Sequence, residues 1–353
     1  MKTTNNVIKK IVALVMALCL LAGCALAEET DEKSDWVNFL LICNEGMNNS
    51  QGNAGNTLMV VALNPTTGKI RLMMFTWDTF VDYPGYDVPQ KLDMPYRNNG
   101  PEEAMKVFNE NFGTDISLYM SLNYLNLASL IDTYGGITVD ITRAERNALN
   151  GMVGSKKERL QEQAASGTMS QQTLDMLAQE YYLTDFGPDV KLNGLQAVGF
   201  GWLQYDSVYN CCEREVRVVA NLFHSVSTTV AEKVVFYTDA SGYPEDAEGR
   251  RAINLDDVTD DDYVFLLEII SPIFQMSYNN LSDDDIYSIS LALAKVAYEA
   301  SRQGVDIFDN LEWTVLPLEA QDEYDIIAGT QGHLVDKEAN AAAIAEFLYS
   351  ENN

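Results

Sequence analysis

The residues of this chain that could do chemistry by type alone are its cysteines, its two histidines and one run of aspartates. Cys43, Cys211 and Cys212 lie in the body of the chain, and Cys24 lies close to its start. Five cysteines in 353 residues are too few for a disulfide scaffold. With only His224 and His333 beside them, tetrahedral zinc ligation has little to draw on. The vicinal pair Cys211-Cys212 cannot easily close on itself, so in an oxidising compartment Cys43 is the obvious partner for one of them. Asp256, Asp257, Asp260, Asp261 and Asp262 offer oxygen to Ca²⁺ but lack the fixed ligand spacing of an EF-hand loop. They read as solvated charge at a helix start. His224, in an apolar helical context, suits a core or boundary position better than a base.

The N-terminus carries an address rather than chemistry. Lys2, Lys9 and Lys10 precede the apolar run Ile11 to Ala22, which fits an export signal and is too short to span a bilayer. Two exits compete. Leu21-Ala22-Gly23-Cys24 reads as a lipobox that would leave Cys24 lipidated, and Ala25-Leu26-Ala27 fits ordinary signal peptidase. The expected products are a membrane-anchored lipoprotein on the outer face of the cytoplasmic membrane, or a protein secreted to the cell wall. Residues 1–27 are thus a signal peptide and 28–36 a charged tether.

Charge narrows the partners. Lys and Arg number 23 against 52 Asp and Glu, a formal charge of −29, which excludes nucleic acid as a partner because no basic face exists to displace counterions. Hydrophobic residues at 47% and aromatics at 10% place the chain among folded proteins with a sizeable core.

Elements able to position a site follow from punctuation and periodicity. Asn38 to Ile42, Leu58 to Leu63 and Ile70 to Phe75 are apolar at nearly every position, which predicts strands inside a covered sheet. Asn64-Pro65-Thr66-Thr67-Gly68 turns the second into the third. Pro101, Glu102, Glu103 and Gly113 bracket a helix. A strand is expected over Ile116 to Leu122, a helix over Leu125 to Tyr134 and a strand over Ile137 to Ile141, the alternation of an α/β layer architecture. Helical spacing covers Thr142 to Tyr182, Gly194 to Leu203 and Glu213 to Val230. A further helix ends near Pro272, and another is capped by Ser282. Glu312 to Leu316 reads as the last strand and Asp336 to Tyr349 as a closing helix, so residues 37–350 form one α/β domain.

The order of these segments resembles the LytR-CpsA-Psr family of Gram-positive envelope proteins, also described as cell envelope-related transcriptional attenuators. The carriers are Asn38-Phe-Leu-Leu-Ile42, Thr57-Leu-Met-Val-Val-Ala-Leu-Asn-Pro65, Thr76-Trp-Asp-Thr79, Leu130-Ile-Asp-Thr-Tyr-Gly-Gly-Ile-Thr-Val-Asp140, Leu192-Asn-Gly-Leu-Gln-Ala-Val198 and Glu213-Arg214. Leu316-Pro317, Ala328-Gly-Thr and Asn340 to Tyr349 are similar as well. The resemblance implies a layered α/β/α sandwich with a central mixed β-sheet. It also implies extracytoplasmic transfer of an anionic glycopolymer from a polyprenyl-pyrophosphate carrier to peptidoglycan, with arginines clamping pyrophosphate and Mg²⁺ held by aspartates.

Residue by residue, the family's pyrophosphate machinery is missing. Its Arg and metal-binding Asp fall on Ala54 and Asn56, its Pro-Arg-Asp on Thr76-Trp77-Asp78, its Arg-x-Arg on Trp202-Leu203-Gln204 and a later Arg on Cys211. Five arginine positions are empty, while Arg214 survives beside Glu215, which stands where the family has Gln. At about 1.5–3 kcal/mol for each charge-assisted contact, such losses remove several orders of magnitude in binding or rate. Lys91, Arg97 and Arg214 are scattered replacements only.

The resemblance therefore marks Asp78 and Arg214 as catalytic candidates and Trp77, Trp202, Gln204, Thr57 and Lys91 as substrate-binding candidates. Glu45 and Asn56 are the remaining Mg²⁺ candidates. Trp77 and Trp202 either offer indole faces to neutral sugars or fill the volume the arginines left. Cys43 and Cys211 align at one cleft, as a sealing disulfide or as two inert buried thiols. The expected function is non-catalytic binding of envelope glycan, with cell-wall glycan, peptidoglycan or a polyprenyl-linked polymer as partner. The alternative is a divergent active transferase moving a lipid-pyrophosphate-linked polymer onto peptidoglycan.

Overall fold

The computed structural model describes residues 36–44, 55–152, 181–238, 249–304, 310–317, 322–327 and 329–350. Residues from Val37 onward make up one compact unit. The predicted export signal, Cys24, the predicted tether to residue 35, Glu45 and most of the helical excursion predicted to Tyr182 lie outside the described residues.

A six-stranded mixed sheet organises the fold. Its strands are β1 (Val37–Asn44), β2 (Gly55–Leu63), β3 (Ile70–Phe75), β6 (Tyr119–Asn123), β11 (Tyr278–Asn279) and β12 (Leu311–Leu316), in the order β11-β6-β1-β2-β3-β12. β1, β2 and β3 run antiparallel to one another, with Leu40 opposite Val60 and Val60 opposite Met73, whereas β6 pairs with β1 and β12 with β3 in parallel. The predicted β2–β3 turn forms because Asn64 Oδ1 accepts from the Thr66 and Thr67 amides at 2.9 Å each. Gly68 completes it at φ 74°, where an added Cβ would stand 2.6 Å from Glu299 Cβ.

The near-continuous apolar character of these strands has the reason predicted for it: helices cover both sheet faces. On one face Phe39, Leu41, Met59, Val61, Leu72 and Met74 belong to a core that also takes in side chains of α3 (Tyr124–Thr133), α5 (Val208–Lys233), α6 (Asp260–Gln275) and α7 (Asp283–Gln303). On the other face Phe75 meets Phe108 and Phe112 of α2 (Pro101–Phe112), with ring centroids 4.6 and 4.9 Å apart. The short α1 (Met94–Asn99) precedes α2, and α4 (Gly194–Gly201) leads toward α5. Arg71 is fully buried on β3. Its Nε donates to Glu312 Oε2 at 2.8 Å and its Nη2 to Ser350 O at 2.9 Å, which pins β12 and the end of α8 (Lys337–Tyr349) to the sheet.

Small two-stranded sheets decorate this frame: β4 (Phe80–Val81) with β5 (Gln90–Lys91), β7 (Ile137–Ile141) with β8 (Gly187–Leu192), β9 (Val234–Tyr237) with β10 (Arg251–Asn254), and β13 (Asp322–Ile327) with β14 (Thr330–Val335). The last pair corrects the sequence reading, in which Glu312 to Leu316 was to be the final strand. β13 opens on Asp322 and Glu323 and keeps Asp325 in its middle, a pattern without apolar alternation. α5 begins at Val208 rather than Glu213 because Ser207 caps it, accepting from the Asn210 amide at 3.1 Å. α6 runs one turn past Pro272, to Gln275. Ser282 caps α7 and Gly113 closes α2 in the left-handed conformation, both as expected. Among the described residues no helix is long and apolar enough to cross a membrane.

Candidate functional site

Beyond the end of β3 the chain turns sharply. The Thr76 amide donates to Leu316 O at 2.9 Å, and the Thr76 and Thr79 hydroxyls bond each other at 2.6 Å. This locked turn presents Trp77 and Asp78 to a cavity of about 750 Å³. The β4–β5 hairpin returns Lys91 to the same place, its ammonium 4.7 Å from the Trp77 ring centroid. Gln204, Asp206, Ser207, Val208 and Cys211, around the start of α5, form a second wall. Ile326, Gly329, Thr330 and Gln331, from the β13–β14 hairpin, form a third.

Asp78 is 5% exposed, and His333 of β14, also 5% exposed, brings Nε2 to 3.5 Å from its Oδ1. Burial pushes the Asp78 carboxyl above the usual aspartate range, while His333 and Lys91 pull it back. The hairpin docks by backbone as well, the His333 amide donating to Asp78 O at 3.2 Å. At Gly332 the approach is so close that a Cβ would lie 2.3 Å from Asp78 O. Tyr209 of α5 sets its ring edge-on to His333 at 5.4 Å and donates its hydroxyl to Pro317 O at 3.0 Å.

Arg214, the arginine that survives, does not line the cavity. It is 3% exposed, and its Nη1 and Nη2 donate to Asp206 Oδ2 and Oδ1 at 2.9 and 2.7 Å. Nη2 also donates to Leu203 O at 2.5 Å, and the Tyr205 ring lies 5.0 Å from the guanidinium carbon. Those bonds hold Asp206 below the usual carboxylate range. Lys91 is thus the single cationic side chain among the described residues lining the cavity.

Behind the cavity wall Glu215 is buried, its Oε2 accepting from Thr57 Oγ1 at 2.5 Å and its Oε1 from Cys211 Sγ at 3.8 Å. Burial pushes its carboxyl up to about 8. Thr57 therefore serves Glu215 and is not among the cavity-lining residues. Trp202 ends α4, packs at 5.8 Å on Tyr124 against the core, and does not line the cavity either. Of the two indoles, Trp77 faces the cavity and Trp202 fills volume.

The Cys43 to Cys211 disulfide is not formed: Cys43, Cys211 and Cys212 are buried free thiols. Burial, then the neighbouring Glu215, pushes the Cys43 thiol up to about 12 and raises Cys211 and Cys212 as well, which makes all three inert.

For Mg²⁺, Glu45 and the Asn56 side chain lie outside the described residues, although Asn56 itself sits in β2. Among the described residues no group of three or more His, Cys, Asp or Glu converges as a ligand set. The two carboxylates that line the cavity are spent on Arg214 or set beside His333.

Sequence reasoning placed Trp77, Asp78, Lys91, Gln204 and Cys211 at the cavity and missed Asp206, Ser207, His333 and the hairpin residues. Asp206 carries a faint signal, an acid just ahead of a serine cap. The hairpin carries none in its periodicity.

Comparison with known proteins bears on the same residues. The LytR_cpsA_psr family model matches residues 22–213. Polyisoprenyl-teichoic acid--peptidoglycan teichoic acid transferase TagU of Oceanobacillus iheyensis is 28% identical over 121 residues, 32% of this chain and 37% of that protein. TagU of Enterococcus faecalis is 32% identical over 85 residues, 24% of this chain and 28% of that protein. The chain thus spans about a third of the length of these curated relatives. Among solved structures, TagT bound to LIIa-WTA superposes with a TM-score of 0.55 at 12% identity, covering 91% of this chain and 94% of that one. Bacillus subtilis TagV gives 0.56 at 13% identity, covering 91% and 100%. These likenesses carry the fold: a mixed α/β architecture around a central mixed sheet.

Proposed function

The chain belongs to the LytR-CpsA-Psr family, and from that premise we propose that it is an exported envelope protein whose cavity beside Trp77 binds wall glycan without the family's transfer from a lipid pyrophosphate. The observation that carries this reading is the state of the cations. A pyrophosphate brings several negative charges and calls for convergent bidentate donors. Among the described residues Lys91 alone lines the cavity as a cation, set against the Trp77 ring, and Arg214 is turned inward onto Asp206. The lining that remains, Trp77 with Gln204, Ser207, Thr330 and Gln331, matches sugar chemistry, an aromatic surface ringed by amides and hydroxyls. Peptidoglycan or another wall glycan is the proposed partner, reached from the cell surface through export and, by the Cys24 lipobox, a lipid anchor.

A second reading, a divergent transferase acting on a polyprenyl-linked polymer, is supported by family membership.

Calorimetry with uncharged N-acetylglucosamine oligosaccharides and with peptidoglycan glycan strands, beside a transfer assay using a polyprenyl-pyrophosphate-linked polymer with and without Mg²⁺, tests the choice. Glycan binding that Trp77→Ala weakens about tenfold, with no transfer, is the expected result. Mg²⁺-dependent transfer establishes the second reading, and absence of glycan binding overturns the first.

A further inference from the structure

Trp77 and Lys91 reach the cavity on backbone that is tied together. Lys91 of β5 pairs opposite Phe80 of β4, and the residues after it bond back to the turn that carries Trp77. The Leu92 amide donates to Thr79 O at 2.8 Å and the Asp93 amide to Trp77 O at 3.4 Å. With both backbones fixed, the half-buried Lys91 side chain sets its ammonium 4.7 Å from the centroid of the half-buried indole. The carboxylates that line the cavity, or follow Lys91 in the chain, are committed elsewhere. Asp93 pairs with Arg97, both Asp206 oxygens accept from Arg214, and Asp78 Oδ1 stands 3.5 Å from His333 Nε2. Among the described residues Lys91 makes no ion pair, although the chain carries 52 Asp and Glu.

We propose that Lys91 is the specificity-determining residue of this cavity and that the glycan it selects carries a free carboxylate on the sugar, one for the one cation. The inference rests on the glycan-binding reading above and names the class of glycan. An ammonium over an indole face is held weakly, and a carboxylate offers it a stronger, charge-assisted hydrogen bond. A carboxylated sugar therefore draws Lys91 off Trp77 and uncovers the indole for its own ring. A neutral sugar has to displace the same ammonium and supplies no replacement for the contact it breaks. One residue thus favours the acidic sugar and penalises the neutral one, and specificity is the difference between the two.

A polyphosphate is served less well, because its further charges meet no second cation among the described lining residues. Gln204, Ser207, Thr330 and Gln331 are left for hydroxyl and acetamido groups. Two kinds of wall sugar present the required carboxylate: a muramic acid whose lactyl group bears no peptide, and a hexuronic acid.

The test uses the full chain and calorimetry at low salt with two matched pairs of glycans. One pair is tetragalacturonate and its methyl ester. The other is a tetrasaccharide of alternating N-acetylglucosamine and N-acetylmuramic acid, with its lactyl carboxylates free or amidated. At least one acid is expected to bind about tenfold tighter than its neutral form, an advantage that shrinks as salt is raised. Lys91→Arg should keep that preference, and Lys91→Met, which retains the aliphatic stem beside Trp77, should abolish it without weakening the neutral forms. The acid that shows the preference identifies the source. Acids bound no tighter than their neutral forms, or a preference that survives Lys91→Met, overturn the inference while glycan binding stands. The matched pairs read the preference in the unaltered protein, so the test stands if Lys91→Met does not fold. Absence of binding by all four glycans overturns both readings.

Discussion

His333 and Asp78 meet with Nε2 3.5 Å from Oδ1, both residues 5% exposed, and the backbone bond from the His333 amide to Asp78 O runs beside that contact. A histidine of the last hairpin is thus the back wall of the one polar residue that the family resemblance left unchanged in its central motifs. The cavity exists as a cavity because this hairpin is docked there, contributing Ile326, Gly329, Thr330 and Gln331 to its lining.

Loosening that dock is expected to cost stability and to open the cavity. Gly332→Ala forces a Cβ to within 2.3 Å of Asp78 O unless the hairpin shifts, an overpacking cost of about 1–3 kcal/mol. Urea denaturation gives the loss. Hydrogen exchange of the β14 amides should speed up in the variant while β1 and β2 keep their protection; unchanged exchange in β14 would contradict the docking role.

Glu215 makes stability depend on pH in a definite direction. Its folded carboxyl titrates at about 8 against an ordinary 4.5, so between those values the unfolded chain is ionised while the folded protein holds its proton. The folded state then binds more protons, and stability falls as pH rises from about 4.5 to about 8, by roughly 4–5 kcal/mol at most, and levels off above. Glu215→Gln, which keeps an acceptor for the Thr57 hydroxyl, should flatten that slope. Melting curves taken at pH 5 and pH 8 read it directly, and equal slopes in both proteins would refute the assignment.

Arg214 is expected to act as a brace. Arg214→Ala leaves Leu203 O without its donor and Asp206 without its clamp; because Asp206 is a quarter exposed, the cost is about 1–3 kcal/mol rather than that of a dry pair. Arg214→Lys should recover only part of it, since an ammonium cannot reproduce two parallel bonds to one carboxylate. Chemical denaturation of the three proteins decides it. Full recovery by lysine would mean that charge alone matters.

The thiols should be silent in the folded state. At pH 8, iodoacetamide labelling read by mass spectrometry is expected to leave Cys43, Cys211 and Cys212 unmodified, and to modify all three once guanidinium is added without reductant. A cysteine that stays unlabelled after denaturation would betray a disulfide.

Local sequence determined a good deal of this protein. The apolar runs of β1, β2 and β3 fix three central strands because a segment apolar at nearly every position is stable only when both its faces are buried. The Asn64 turn, the Pro101 start, the Gly113 stop and the Ser282 cap each satisfy backbone groups within a few residues, so each is legible where it stands. The residue types at the motif positions are legible in the same way, as is the excess of 52 Asp and Glu over 23 Lys and Arg. Tertiary structure alone decided where the remaining charges went. Arg214 could have faced the cavity, but Asp206 and Leu203 O, set by the path from α4 into α5, offered it a better-satisfied place inward. Trp77 and Trp202 look alike as replacements, yet one meets a cavity and the other the Tyr124 face of the core. Asp78 acquired its histidine from a strand with no apolar alternation, held by contacts between parts of the chain far apart in sequence. Such contacts leave no period in either segment: local bonds write themselves into neighbouring residues, and long-range burial and pairing do not.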